Sequence, residues 1–98
     1  MTQPSNPVPV HVPEESRFEV VEPEGTAVLE YELGDGVVVL AHTVVPDELE
    51  GRGVGTALAR AGLAWAAQQH LAVVPHCSFV QAFLDKHPGQ IPVEIRSA

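Results

Sequence analysis

The stretch that decides the fold is residues 37–70. It starts with Val-Val-Val-Leu-Ala-His-Thr-Val at Val37–Val44, continues through Glu-Gly-Arg-Gly-Val-Gly at residues 50–55, and ends in an alanine-rich segment, Thr56–His70. The β-branched run predicts a buried central strand, and the alanine-rich segment predicts a helix. A strand, a glycine loop and a helix in this order present unpaired backbone N–H groups and the positive end of the helix dipole to an anion. The stretch therefore predicts a phosphate-binding loop.

The glycines at 51, 53 and 55 suit such a loop, because a Cβ atom would obstruct a pyrophosphate and disfavour positive φ angles. Two well-known phosphate motifs do not fit. A Walker loop needs Lys and then Ser or Thr after its last glycine, where Thr56-Ala57 stands. A dinucleotide fingerprint needs a third glycine where Leu58 stands. A loop that merely connects two elements stays open as an alternative.

Strands are predicted on the N-terminal side of this stretch, at Arg17–Glu22 and Thr26–Leu33, and make an antiparallel meander with Val37–Val44. On the C-terminal side, a short buried strand is predicted at Leu71–Val74. Ser78 is expected to cap a second helix whose inward face carries Val80, Phe83 and Leu84. The pattern indicates an α+β fold with two main helices.

Composition limits the architecture and the partners. Ninety-eight residues, 45% of them apolar, suffice for one compact domain. The segment Met1–Glu15 carries four prolines, so we expect a flexible N-terminal tail at residues 1–15 and one domain at 16–98. A net charge of -8 provides no footprint for nucleic acid or an anionic membrane, and no apolar run is long enough to span a bilayer. One cysteine and scattered histidines predict no disulfide within the chain and no metal site, and the default location is cytoplasmic.

The loop resembles the cofactor-binding motif of the GNAT N-acetyltransferase superfamily, which is Gln or Arg, two residues, Gly, any residue, then Gly or Ala. Together with His42–Pro46 and Val74–Val80, which contains Pro75-His76-Cys77-Ser78, the chain resembles a branch of very short GNAT-like proteins. The resemblance covers about half of the chain. Glu50 departs from the motif, because the superfamily prefers Gln or Arg there. The turn between Glu22 and Thr26 also leaves no room for the helices that larger members insert.

The resemblance implies a minimal GNAT-like fold, with a mixed, mostly antiparallel sheet splayed beside acetyl-CoA or coenzyme A. It implies that Val44 and Val45 flank the pantetheine arm and that the amides from Arg52 to Thr56 hold the pyrophosphate, with Arg52 adding positive charge. The full set of cofactor-binding residues that it suggests is Val44, Val45, Glu50, Gly51, Arg52, Gly53, Val54, Gly55, Thr56 and Ser78.

Cys77 and His42 are the candidate catalytic residues. Cys77 precedes a predicted helix, whose N-terminal dipole favours a reactive thiol that donates a proton or carries an acetyl group; a small buried hydrophobe is the alternative. His42, near the end of the central strand, has an imidazole suited to a general base near neutral pH; a hydrogen-bonded sheet histidine is its alternative. Sequence fixes neither the face on which His42 lies nor its partner.

The function that these features predict is transfer of an acetyl group from acetyl-CoA to a primary amine, on a small molecule or a protein, with direct attack preferred over a Cys77-acetyl intermediate. A coenzyme A-binding module without useful catalysis is the first alternative, because so small a chain has little surface for an acceptor. A structural or interaction protein is the second. A monomer or a weak homodimer fits the length.

Overall fold

A five-stranded sheet in the order β1-β2-β3-β4-β5 forms one layer of the computed structural model, which describes residues 7–96. The strands are β1 (Val10–Val12), β2 (Arg17–Glu22), β3 (Gly25–Leu33), β4 (Val37–Val44) and β5 (Ala72–Pro75). Neighbours from β1 to β4 pair antiparallel, and β4 pairs parallel with β5. A parallel pair needs a crossover, which helix α1 (Val54–Gln68) supplies; helix α2 (Ser78–Lys86) follows β5. The predicted α+β fold, with a mixed, mostly antiparallel sheet and two helices, is confirmed.

Helix α1 starts two residues earlier than the sequence suggested. Gly53 is the N-cap residue, with φ of 77°, and Ala57 N–H donates the first intrahelical bond to Gly53 O at 3.0 Å. The helix ends at Gln68, shortly before His70, which has φ of 58°. A 3-10 helix, Asp47–Leu49, bridges the end of β4 to the glycine loop.

Both helices lie on one face of the sheet, which we call the core face. Alternate residues of β2, β3 and β4 point to it and are buried, including Phe18, Leu29 and Leu40. Side chains from both helices, among them Leu58 and Val80, complete the same cluster. The opposite face, which we call the open face, carries the other residues of the strands, and among the described residues no helix packs on it.

Gly62 marks the closest approach of α1 to the sheet. A Cβ at this residue would lie 2.9 Å from Leu29 Cδ2 and 3.6 Å from both methyl groups of Leu40. Leu29 and Leu40 are fully buried and belong to adjacent strands. A missing side chain in the helix therefore sets the distance between the two layers.

The N-terminal segment differs from the prediction. Residues 10–12 form β1, which pairs with β2 in the register Val10↔Glu19 to Val12↔Arg17, and a 3-10 helix, Pro13–Glu15, links the two strands. The expected flexible tail is therefore wrong for residues 10–15. β1 itself contains no proline, and Pro13 is tolerated because it lies in the first turn of the 3-10 helix, where no N–H donor is needed. Residues 1–6 of that predicted tail lie outside the described residues, as do residues 97 and 98.

The C-terminal segment extends the sheet beyond β5, which the sequence did not predict. Val73 N–H donates to Glu94 O at 2.8 Å, and Arg96 N–H donates to Val73 O at 2.8 Å. This bridge covers part of the outer edge of β5. No helix within residues 7–96 is long and apolar enough to cross a membrane.

An aromatic cluster anchors β1 to the core. The His11 ring stacks on Phe18 at a centroid distance of 4.3 Å and meets Trp65 edge-on at 4.8 Å. His11 Nε2 lies 2.6 Å from the hydroxyl oxygen of Tyr31, so the tyrosine donates when this nitrogen is unprotonated. Burial lowers the pKa of His11 from its ordinary value of 6.5 against an opposing effect of Glu14, and burial also raises the pKa of Tyr31.

This cluster predicts a pH-dependent stability. Because the pKa of His11 is lower in the folded state, the unfolded chain binds more protons near pH 6, and the free energy of unfolding falls as pH falls through 6.5. Chemical denaturation between pH 7.5 and 5.5 should show this loss in the wild type and a shallower one in His11→Phe, which keeps the stacking. His76→Gln, at an exposed position, is the matched control and should keep the wild-type slope. Equal slopes for the wild type and His11→Phe would contradict the prediction.

Candidate functional site

The first turn of α1 exposes backbone donors at the end of the glycine loop. Because intrahelical bonding begins with the Ala57 N–H, the amides of Val54, Gly55 and Thr56 have no acceptor within the helix. The N-cap residue is Gly53, which has no side chain that could accept a hydrogen bond from these amides, as Ser, Thr, Asp or Asn would at this position. This helix start has the polarity and the free amides that an anion requires.

Two of the three loop glycines have the conformation that the sequence predicted. Gly51 has φ of 80° and Gly53 has φ of 77°, and a Cβ on either residue would meet no atom within 4 Å. Both glycines are therefore required by backbone conformation, which L side chains rarely adopt, and the space beside each of them is open.

Gly55 has a different role from the one predicted. It is helical, not at positive φ, and a Cβ there would overlap the ring of Phe79 in α2. The missing side chain admits the aromatic ring against the first turn of α1. The prediction for Gly55 is therefore wrong in its reason, because packing between the two helices requires this glycine.

A cavity of about 360 Å³ lies over this helix start. Three apolar residues from outside the loop line it, and the glycine loop and the first turn of α1 supply the rest of the lining. The complete lining is Val45, Leu49, Glu50, Gly51, Gly53, Val54, Gly55, Thr56 and Phe79. A volume of this size is at the lower end of the range for small-molecule sites. The lining thus combines apolar side chains with the residues whose amides lack an acceptor within the helix.

The charges around the cavity differ from the expectation for an anion site. Glu50 is the one charged residue in the lining described above. Arg52, expected to complement a pyrophosphate, is not in the lining; both its terminal nitrogens lie 3.3 Å from Glu24 Oε2 in the turn between β2 and β3. The loop arginine is thus paired with a carboxylate of the chain itself, while the acidic Glu50 belongs to the lining of the cavity.

The cavity lies where β4 and β5 part. Their parallel pairing ends at Leu40↔Pro75, and Leu40 O then accepts the N–H groups of His76 and Cys77 at 3.2 and 3.1 Å. From Ala41 to Val44, β4 has no strand partner on this side within residues 7–96. The splayed sheet that the resemblance implies is present, and it leaves a free strand edge next to Val45.

A β-bulge in β4 determines which side chains face this opening. Tyr31 pairs with Leu40 and Glu30 pairs with His42, so Ala41 is the additional residue. The bulge reverses the alternation, which places His42 on the open face with Glu30 and Thr43 on the core face with Leu29. His42 is exposed, and its neighbour in the chain points into the protein.

Thr43 reaches Cys77 across the parted strands. The Thr43 hydroxyl oxygen and Cys77 Sγ lie 2.7 Å apart, and Cys77 is only 5% exposed. Cys77 is the N-cap residue of α2, and Gln81 N–H donates to its carbonyl oxygen at 3.0 Å. The predicted capping role of Ser78 is wrong, because Ser78 is already the first helical residue. The two catalytic candidates, His42 and Cys77, lie on opposite faces of β4.

Most of the predicted cofactor residues meet at the cavity, and three do not. Val44 is 58% exposed and paired with Val28 on the open face, Arg52 is paired with Glu24, and Ser78 lines a separate groove with Phe79 and Ala82. The bulge explains the position of Val44, because it turns Val44 to the same face as His42.

Two lining residues were missed from the sequence, Leu49 and Phe79. Leu49 is fully buried, and in the sequence it is the one apolar residue among three acidic ones. A lone apolar residue in an acidic run indicates a side chain that packs inward, so the sequence did carry a signal for it. Phe79 lies beside the inward-facing Val80, so helical periodicity turns the large ring outward, where it is 40% exposed. A large aromatic residue on the outward side of a helix start was therefore the sequence feature that could have indicated a ligand-lining residue.

Comparison with known proteins identifies the class. The family model of GCN5-related N-acetyl-transferases matches residues 17–92, so the chain belongs to the GCN5-related N-acetyltransferase family. The predicted GNAT relationship is confirmed.

Within the described residues, no group of three or more His, Cys, Asp or Glu side chains is placed to hold a metal ion.

Three curated relatives of the chain carry the same name, Protein NATD1. Protein NATD1 of Bos taurus is 40% identical over 63 residues, which cover 63% of this chain and 56% of that protein. Protein NATD1 of Gallus gallus and that of Homo sapiens are each 38% identical over 63 residues, covering 57% and 56% of their lengths. The chain thus spans a little over half the length of the curated relatives it matches.

The contact between Gly55 and Phe79 predicts a coupled pair of substitutions. Gly55→Ala gains helix propensity of at most about 1 kcal/mol, but the new methyl group forces the Phe79 ring to move, and overpacking costs about 1–3 kcal/mol. We expect Gly55→Ala to lower the free energy of unfolding in the wild type but to be neutral or stabilising in a Phe79→Ala background. A denaturant double-mutant cycle measures the coupling. Additive effects would show that the ring does not pack on Gly55.

Proposed function

We propose that this chain is an acetyl-CoA-dependent N-acetyltransferase that moves an acetyl group to a primary amine. The observation that carries the proposal is the cavity at the parted end of β4 and β5, which combines free amides of the first turn of α1 with apolar walls. Membership of the GCN5-related N-acetyltransferase family supports the choice of acetyl-CoA over other phosphorylated ligands.

The residues of the cavity suit the separate parts of such a ligand. The amides of Val54, Gly55 and Thr56 are placed to hold a pyrophosphate, because none of them has an acceptor within the helix. Val45, which is half-buried in the lining, offers apolar surface for a pantetheine arm beside the free edge of β4, and the fully buried Leu49 supports that wall from below. Acetyl-CoA supplies an acetyl group as a reactive thioester, so the chain itself has to orient the acceptor and move protons.

His42 and Cys77 are assigned separate tasks in this proposal. His42, exposed on the open face, accepts the proton that the amine loses as its nitrogen bonds to the acetyl carbon. Cys77, buried beside Thr43, donates a proton to the sulfur that leaves as the carbon–sulfur bond breaks. The positions of the two residues on opposite faces of β4 favour direct attack by the amine, since the hydrogen-bond partner of Cys77 Sγ within residues 7–96 is the Thr43 hydroxyl and not a base that could activate the thiol as a nucleophile.

One observation favours the second candidate, a coenzyme A-binding module without useful catalysis. Residues that would have to act together are separated, because the bulge turns His42 away from Cys77. This candidate predicts ligand binding without turnover. Both functions use the same cavity, so binding and turnover have to be measured separately.

Ligand-dependent melting tests the cofactor assignment. Coenzyme A and acetyl-CoA should each raise the melting temperature, because a ligand at 100 times its Kd adds about 2.7 kcal/mol of stability, and NAD at the same concentration should not. The absence of a shift with either coenzyme A compound would overturn the assignment.

The same measurement on Glu50→Gln locates the ligand. Glu50 places a negative charge in the cavity lining, so its removal should strengthen binding of the anionic cofactor by about two- to fivefold, the range expected for a partly solvated charge. Glu48→Gln is the matched control, because Glu48 is exposed and outside the lining, and it should have a smaller effect. Equal effects of the two substitutions would contradict binding in this cavity.

Turnover separates the enzyme from the binding module. Amines such as spermidine and lysine-containing peptides, incubated with acetyl-CoA, should release free coenzyme A. We expect His42→Ala to lower the rate by about 10²- to 10⁴-fold, with partial recovery at high pH, where more of the amine is already unprotonated. Cofactor-dependent melting should be unchanged in that variant. Binding with no turnover for any amine would favour the module.

A further inference from the structure

The open face of the sheet has no cover among the described residues, although it carries several exposed valines. Val21 is 66% exposed, Val44 is 58% exposed and Val10 is 56% exposed. Val28, half-buried on β3, lies opposite Val44, and Val39, half-buried on β4, lies opposite Glu32 further along the same face. This is an apolar strip interrupted by charges, on a sheet whose other face is packed against both helices.

The charges on the open face are mostly negative. Arg17 is bound by both Glu15 and Glu19, with its Nη2 2.8 Å from Glu15 Oε1 and its Nε 2.7 Å from Glu19 Oε2. Glu30 and Glu32, on the central strand β3, are both exposed. Glu30 lies opposite Arg17 in the register of β2 and β3, but neither carboxylate forms an ion pair with another residue in the range 7–96. The face thus presents two carboxylates that accept a further cation, beside exposed valines.

From this face we infer that the chain docks an extended, lysine-bearing segment of another protein along β3 and β4, and this inference rests on the proposed acetyltransferase function. Glu30 and Glu32 point to the same side and are two residues apart, which is about 7 Å along a strand. Alternate side chains of an extended polypeptide repeat at the same distance. Lysines at alternate positions therefore match the carboxylates, and their aliphatic stems can lie on the exposed valines.

The register between β3 and β4 places the docked segment next to the candidate active site. Glu30 pairs with His42, and Val44 follows on the same face, two residues before Pro46 and next to Val45 in the cavity lining. A lysine held near Glu30 therefore has its amine beside the proposed base, at the end of β4 where the strands part. A second copy of this chain fits the face poorly, because each copy carries a net charge of -8.

Binding of defined peptides tests this inference. The probe is a fluorescently labelled, capped octapeptide that alternates lysine and threonine, and its matched control has four lysines followed by four threonines. At low salt the alternating peptide should bind more tightly than the block peptide. The double variant Glu30→Gln, Glu32→Gln should weaken its binding by about three- to tenfold, and Asp47→Asn, Glu48→Gln, which removes the same charge elsewhere, should have a smaller effect.

The outcomes separate this inference from the proposed function. Equal binding of the two peptides, equal effects of the two double variants, or tighter binding of spermine than of the alternating peptide would each overturn the docking surface. Cofactor-dependent melting should be unchanged in Glu30→Gln, Glu32→Gln. If coenzyme A stabilises the chain and the alternating peptide does not bind, the docking surface fails alone; if the peptide binds and coenzyme A has no effect, the proposed cofactor fails alone.

Discussion

The parting of β4 from β5 is the constraint on which the rest of the site depends. Parallel pairing ends at Leu40↔Pro75, and the Leu40 carbonyl then accepts two successive N–H groups, so the chain turns away from β4 into α2. Helix α1 must begin near the free end of β4 and return to the start of β5, because a parallel pair requires a crossover. The glycine loop and the first turn of α1 are thereby fixed beside the opening.

Two small structural features determine which side chains lie around that opening. The bulge at Ala41 exchanges the faces of the last residues of β4, which brings Thr43 to Cys77 and leaves His42 on the open face. The helical Gly55 lets the Phe79 ring close one wall of the cavity. Both decide which residues a bound ligand would meet, and they place the proposed acceptor side and cofactor side on opposite faces of β4.

Elements with strong periodicity could be predicted from sequence. The β-branched run of β4 and the alanine-rich helix α1 were located to within two residues, because their patterns leave little choice of structure. Strand β1 could not be predicted, since it is three residues long, contains no strong alternation and owes its place to His11 packing on Phe18 and Trp65. Tertiary contacts, not local preference, order that segment.

The site could be predicted only as far as backbone conformation determines it. Positive φ at Gly51 and Gly53 is accessible because both residues are glycine, whereas the pairing of Arg52 with Glu24 and the outward turn of Val44 depend on residues distant in sequence. A one-residue bulge is invisible in a run of β-branched residues, so the face of His42 could not be assigned. The resemblance identified the family, and the geometry shows which of the residues that it suggests meet at the cavity.

The most direct test of the cofactor site is an amide-resolved NMR titration of the ¹⁵N-labelled chain with coenzyme A. If the first turn of α1 holds the pyrophosphate, the amide protons of Val54, Gly55 and Thr56 should move downfield together, because each would gain a charge-assisted hydrogen bond. Amides on the open face, such as those of Glu30 and Glu32, should move little. Saturating changes confined to other residues, or none at all, would contradict the account.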